Sequence, residues 1–187
     1  MVKINFGCGV EQHVPGWINV DSDFRAAPDI VADLSREMPF PSASVDFIFS
    51  EALLEQLNLA QSEIFLKECR RVLKPTGVMR LLAADLEKFA RAYLDNPDWL
   101  VETWETTTGV ILKTRKACEV LNLGIRVGQF FFDSETFQLL ARKHGFRVEK
   151  VEYRKSNSAE LRDIDIRGPE SSINMYFECF PTEPSTP

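Results

Sequence analysis

The chain has 187 residues, 44% of them hydrophobic, and a formal net charge of −6. That length and apolar content fit one domain with a substantial core and argue against two. The acidic balance disfavours a nucleic-acid backbone as partner, and the lack of any run of about 18 apolar residues argues against a membrane span.

The four cysteines, Cys8, Cys69, Cys118 and Cys179, form no C-x-x-C pair, so the usual zinc and dithiol signatures are missing. No charged segment followed by a long apolar run opens the chain, and a cytoplasmic protein with reduced thiols is expected. The one dense basic stretch, Lys113-Thr114-Arg115-Lys116, is short and close to Glu119, and reads as a solvated helix face.

In chain order, apolar runs alternate with helical patterns through the first half, as in a parallel sheet with crossover connections. Strands are predicted at Lys3–Phe6, Ile18–Asp21, Ile30–Ala32, Val45–Phe49 and Gly77–Ala83. Between the last two, Ile64, Phe65, Cys69, Val72 and Leu73 form one face of a helix over Ser62–Leu73, which Lys74-Pro75-Thr76-Gly77 should stop. A second helix is predicted over Asp85–Leu94, with Asp85 as its cap and Asn96-Pro97-Asp98 as its breaker. Trp99–Gly128 is helical in places, and residues 95–129 read either as a helical lid insertion or as a packed excursion. After Phe130-Phe131-Phe132 come a helix at Thr136–Lys143 and strands at Phe146–Tyr153 and Ile173–Phe180. The irregular connection Ser156–Ser172 implies that these two strands pair antiparallel. The predicted fold is α/β: a doubly wound, mostly parallel Rossmann-like sheet with an antiparallel C-terminal strand, one domain over residues 1–180 and a disordered tail at 181–187.

The most informative local feature is the first strand, which runs into Gly7-Cys8-Gly9, followed by a second strand that closes on Asp21. Paired glycines let a ligand approach the backbone, and a carboxylate at the next strand end can accept from two ribose hydroxyls. The combination points to a nucleoside-containing cofactor.

Six ordered motifs extend this reading: Asn5-Phe6-Gly7-Cys8-Gly9, Pro15-Gly16-Trp17-Ile18-Asn19-Val20-Asp21, Asp33-Leu34 with Pro39-Phe40-Pro41, Ser44-Val45-Asp46-Phe47-Ile48, Ser50-Glu51-Ala52-Leu53-Leu54-Glu55, and Glu68 through Gly77. In this order they resemble the class I S-adenosylmethionine-dependent methyltransferases, of the small methyltransferase-11 type. The resemblance implies that the main chain of Phe6, Gly7, Cys8 and Gly9 lies against the methionine part of S-adenosylmethionine and that Asp21 accepts from the ribose. It also implies that Asp33 and Leu34 meet the adenine and that Ser50 and Glu51 border the site. Each has a plainer rival: the glycines as a turn, Cys8 as a small filler, and Asp21 and Asp33 as caps.

The chain departs from the family pattern at three points. Asn5 stands where many members have an acidic residue, little room is left for a helix between Gly9 and Asp21, and Gln56 replaces a histidine. Methyl transfer depends more on alignment than on acid–base chemistry. Glu51, Asp85 and His13 are the base candidates should the acceptor need to lose a proton, and Trp99, Trp104 and Phe130–Phe132 are candidate pocket walls. The leading expectation is methyl transfer to a small molecule such as a sugar, with no nucleic acid, membrane or metal, and with a homodimer as one way to cover the cofactor. The alternatives are a non-catalytic cofactor-binding partner subunit and, below it, a nicotinamide-dependent oxidoreductase. The oxidoreductase would want a third glycine where Gln12 stands.

Overall fold

In the computed structural model, which describes residues 1–170 and 173–183, the N-terminal strands occupy the predicted residues. Lys3–Phe6 (β1) and Ile18–Asp21 (β2) pair in parallel with Ile4 opposite Ile18 and Phe6 opposite Val20. Ile30–Val31 (β3) extends one edge, and Val45–Glu51 (β4) lies on the other side of β1. Helix α1 (Leu59–Val72) starts three residues earlier than the apolar pattern implies, because Asn58 and Gln61 form a reciprocal capping box.

The predicted breaker after α1 behaves differently from expectation. Leu73–Ala84 (β5) begins directly at the end of the helix, and Lys74–Gly77 bulges out of the ladder as the register jumps from Val45–Leu73 to Phe47–Val78. Asp85 caps α2 (Leu86–Asp95) through the amides of Glu87 and Lys88, and Pro97 opens α3 (Pro97–Thr108). Next come α4 (Ala117–Val127), α5 (Ser134–Lys143), β6 (Phe146–Lys150) and β7 (Asn174–Pro181). The basic stretch at 113–116 lies in the connection between α3 and α4, not on a helix face, and the Glu119 carboxylate accepts from the amides of Lys113 and Thr114.

The seven strands take the order β3-β2-β1-β4-β5-β7-β6, with β7 alone running against the rest. The change of direction along the sheet lies beside β1 and β4, where open α/β sheets bind ligands outside the carboxyl ends of the strands. The end of the chain departs from a free tail at 181: Pro181 closes β7 and the Thr182 amide donates to the Gly145 carbonyl at 2.9 Å, while 184–187 lie outside the described residues.

Alternation with period two splits the sheet into two buried faces. On one, Ile4, Phe6, Ile48, Met79, Leu81 and Phe177 pack against Phe65 and Leu66 of α1 and Phe137 of α5. On the other, Phe49, Val78, Leu82 and Tyr176 are covered by Trp17 and by Leu161 from the β6–β7 connection. The cover on this second face is loop, and polar bonds hold it down. Arg80 of β5 is fully buried there, its guanidinium bridging Asp165 and Glu178 and donating to the carbonyls of Lys155 at 2.8 Å and Glu152 at 3.0 Å. Removing a single member of such a cluster strands the opposite charges in a dry site. Arg80→Ala is therefore expected to lower the unfolding free energy by about 3–5 kcal/mol, measured by urea denaturation at neutral pH.

Candidate functional site

The glycine turn is laid against β2 by amide bonds from Gly7 and Cys8 to the Val20 carbonyl, at 2.8 and 3.3 Å. Gly7 and Gly9 both have positive φ, +74° and +49°. Their surroundings differ. A Cβ on Gly7 would stand 2.9 Å from Leu53 Cβ, so this glycine is required by the protein's own packing, whereas a Cβ on Gly9 would meet nothing within 4 Å. The Gly9 amide donates to Asp21 Oδ2 at 2.9 Å, and Asp21 Oδ1 accepts from the Asp23 amide at 2.9 Å. Each oxygen of that carboxylate retains a free lone pair.

Gly7, Asp21, Asp33, Leu34, Leu53 and Gln56 border a hollow of about 210 Å³. Four of the residues expected at the cofactor thus meet around one cleft. The Asp33 carboxylate also caps its own turn, accepting from the Ser35 amide and hydroxyl and pairing with Arg36, and the Ser35 bonds hold its pKa below the usual carboxylate range. The side chains of the other expected residues serve the fold. Phe6 is buried in the main core, edge-on to Phe40 and Phe65, and Ser50 is buried within β4. Burial, and then the charge of Asp21, push the Cys8 thiol up to about 11, so it is a protonated filler of the turn.

Asn5, which reads in the sequence as a lost carboxylate, has a structural task. Its side-chain amide donates to the Gln12 carbonyl at 2.6 Å and to Asn19 Oδ1 at 3.0 Å, tying the turn to β2 from the loop-covered face. A carboxylate there would have no hydrogen to give.

None of the three base candidates has a free carboxylate or imidazole at a cleft. The Glu51 carboxylate is buried and accepts from the amides of Ile166 at 3.0 Å and Arg167 at 2.9 Å, and from Arg167 Nη1 at 3.3 Å. Asp85 is occupied as the cap of α2, and His13 Nε2 lies 2.8 Å from the Ala26 carbonyl at the surface. Glu51 instead fixes the β6–β7 connection above the glycine turn. Gln12, its amide oriented by its partners, donates to the Glu51 carbonyl at 3.0 Å and accepts from Arg167 Nη2 at 2.9 Å.

A second hollow, of about 390 Å³, opens on the other side of the segment after β4. Glu55 and Gln56, Phe89 of α2, Leu100 and Trp104 of α3, Phe131 and Arg167 line it, with the Phe131 ring stacked on that of Phe89. Of the aromatic residues singled out in the sequence, Trp104 and Phe131 reach it, whereas Trp99, Phe130 and Phe132 pack into hydrophobic clusters.

Glu55 is the residue that sequence reasoning passed over. The residue is half-buried, but Oε2 is shut off from solvent and has no hydrogen-bond partner among the described residues. Desolvation pushes its pKa up to about 6, against the backbone amides of Glu55 and Ala84 and the charge of Arg167. Burying an ionisable group in this way lowers stability above the shifted pKa, because the folded chain binds the proton more tightly than the unfolded one. Relative to wild type, Glu55→Gln is expected to gain on the order of 2 kcal/mol of stability between pH 4 and pH 7.5, most of it between the ordinary carboxylate pKa and about 6. Urea unfolding of both proteins at the two pH values measures the difference.

Comparison with known proteins agrees with this architecture. A family model described as a methyltransferase domain matches residues 6–81, from the end of β1 into β5. No curated protein matches the sequence. Among solved structures, the methyltransferase of Haloferax volcanii in complex with the Trm112 methyltransferase activator is similar at 13% identity and a TM-score of 0.58, over 100% of this chain and 84% of that one. A Pyrococcus horikoshii protein shares 16% identity, with a TM-score of 0.58 over 96% and 81%. A SAM-dependent methyltransferase of Thermotoga maritima shares 18%, with a TM-score of 0.54 over 95% and 81%. No helix among the described residues is long and apolar enough to cross a membrane. The matched segment is thus that of a methyltransferase domain, and over nearly its whole length the chain shares the fold of these solved structures.

Proposed function

We propose that the chain transfers the methyl group of S-adenosylmethionine to a small molecule, with the nucleoside in the cleft bordered by Gly7, Asp21, Asp33 and Leu34 and the acceptor in the pocket beneath Trp104. The observation that carries this reading is adjacency: Gln56 borders both hollows, so the two ligands would meet across one residue at the carboxyl edge of the sheet. When bound, the cofactor supplies an electrophilic methyl group on a sulfonium. The residues fit it: Asp21 keeps lone pairs for two hydroxyls, Leu34, Leu53 and Leu57 offer apolar contact, and Gly9 leaves its backbone open.

What this chain contributes is alignment and dryness. The pocket is lined mostly by apolar groups, and α3 and α4 stand over it in the manner of a lid. A hollow of about 390 Å³ suits a metabolite, and the net charge of −6 supports that over a nucleic-acid acceptor. Four free cysteines support a reducing, cytoplasmic setting. Asn5 supports an intact cofactor turn over a decayed one, since its amide ties that turn to β2. Asp21→Ala is expected to weaken S-adenosylhomocysteine by about 1.5–3 kcal/mol in isothermal titration while leaving the circular dichroism spectrum intact.

A further inference from the structure

Gln56 closes the short helical turn Leu54–Gln56, and its backbone is tied down on both sides. Its amide donates to the Leu53 carbonyl at 2.9 Å, its carbonyl accepts from Gln129 Nε2 at 2.8 Å, and the Gln129 amide donates to the adjoining Glu55 carbonyl at 2.8 Å. The residue is nevertheless exposed, and its side-chain carboxamide has no hydrogen-bond partner among the described residues. Of the residues that line the two hollows, Gln56 alone borders both. A fixed backbone thus carries an unpaired oxygen acceptor and two N–H donors at the place where the two ligands would meet. What the surroundings lack is a free base. Glu55 and Arg167 are the two titratable residues lining the larger hollow. Glu55 Oε2 is shut off from solvent and the amides of Glu55 and Ala84 draw on its carboxylate, while a guanidinium takes no proton. In the smaller hollow, Asp33 is engaged by Ser35 and Arg36, and Asp21 by the amides of Gly9 and Asp23.

Resting on the methyltransferase reading, we propose that Gln56 is a catalytic residue that holds the acceptor nucleophile, and that this nucleophile is the uncharged amino nitrogen of a mainly apolar small molecule. An alcohol is a poor nucleophile until its proton is being removed, whereas an amine attacks with the lone pair it already has. A carboxamide takes up no proton, so it suits the second kind of acceptor. Its oxygen accepts one N–H of the amine and turns the lone pair toward the methyl carbon. In the reaction the nitrogen bonds to that carbon as the carbon–sulfur bond breaks. The electron pair of the broken bond stays on sulfur, the positive charge passes to nitrogen, and the methylated ammonium then loses its proton to water. An amine that enters already protonated has no lone pair to give, and it would share the pocket with the Arg167 guanidinium. Phe89, Leu100, Phe131 and Ile173 make much of the remaining lining apolar, which sets the character of the rest of the molecule.

The test uses the full chain with 4-chloroaniline, 4-chlorobenzyl alcohol and chlorobenzene as probes. With the chain saturated in S-adenosylhomocysteine, the side-chain amide resonances of Gln56, assigned by their loss in Gln56→Leu, should shift with the aniline and stay in place with chlorobenzene. With S-adenosylmethionine in its place, the aniline should be methylated on nitrogen and the alcohol should not. The aniline is uncharged from pH 5.5 to pH 9, so its rate should be flat across that range. Gln56→Leu should lower kcat by at least about tenfold while changing S-adenosylhomocysteine binding by less than about threefold. Gln56→Glu, which keeps an acceptor oxygen, should recover most of the lost rate. Resonances that ignore the aniline, an unchanged kcat in Gln56→Leu, methylation of the alcohol in preference to the aniline, or methylation of no probe overturns the proposal. So does a rate that rises with a midpoint at about pH 6, which would make Glu55 a base. Failure of the wild type to bind S-adenosylhomocysteine overturns the methyltransferase reading itself, and its binding keeps the two failures apart.

Discussion

Polar anchoring of one irregular connection decides where the site's walls stand. The sheet face formed by Phe49, Val78, Leu82 and Tyr176 must be covered, and the segment that covers it, between β6 and β7, offers few large apolar side chains. Burial alone would leave its position loosely defined. Arg80 draws Asp165 and the carbonyls of residues 152 and 155 onto the sheet, and the Glu51 carboxylate continues the seam at the amides of 166 and 167. Arg167 is thereby held between the glycine turn and the pocket that Trp104 lines.

Two carboxylates four residues apart illustrate how surroundings assign roles. Glu51 ends a central strand and is met by three donors, so its oxygens serve architecture. Glu55 follows on a short helical turn, with one oxygen shut off from solvent and without a hydrogen-bond partner among the described residues. The same side chain is therefore a fastener in one place and a group of raised proton affinity in the other.

Much of this was legible in the residues, and the reasons for the rest are physical. β1 and β2 fell on the predicted residues because an apolar run ends in glycines or in a carboxylate, which are local signals. The capping box at Asn58 and Gln61 was equally local, and reading it would have placed the start of α1 correctly. Gly7, Asp21, Asp33 and Leu34 converge because their positions follow from strand order. The fates of Glu51 and Asn5 were not legible: the partners of Glu51 lie 115 and 116 residues away, and those of Asn5 form only when the loop folds back on β2. Glu55 had a faint sequence signal, a lone carboxylate closing the apolar run Ala52-Leu53-Leu54, but its isolation comes from α3 and from the chain around Phe131.

The contact between Gly7 and Leu53 has a consequence for how this site can change. The leucine occupies the volume in which any other residue at position 7 would place its Cβ, so tolerance at position 7 is set by what stands at 53, while a smaller residue at 53 asks nothing of position 7. Enlarging the first without shrinking the second forces the glycine turn away from the wall of its own cleft. Even with that room made, the left-handed backbone at residue 7 still favours glycine, so the turn is guarded twice over.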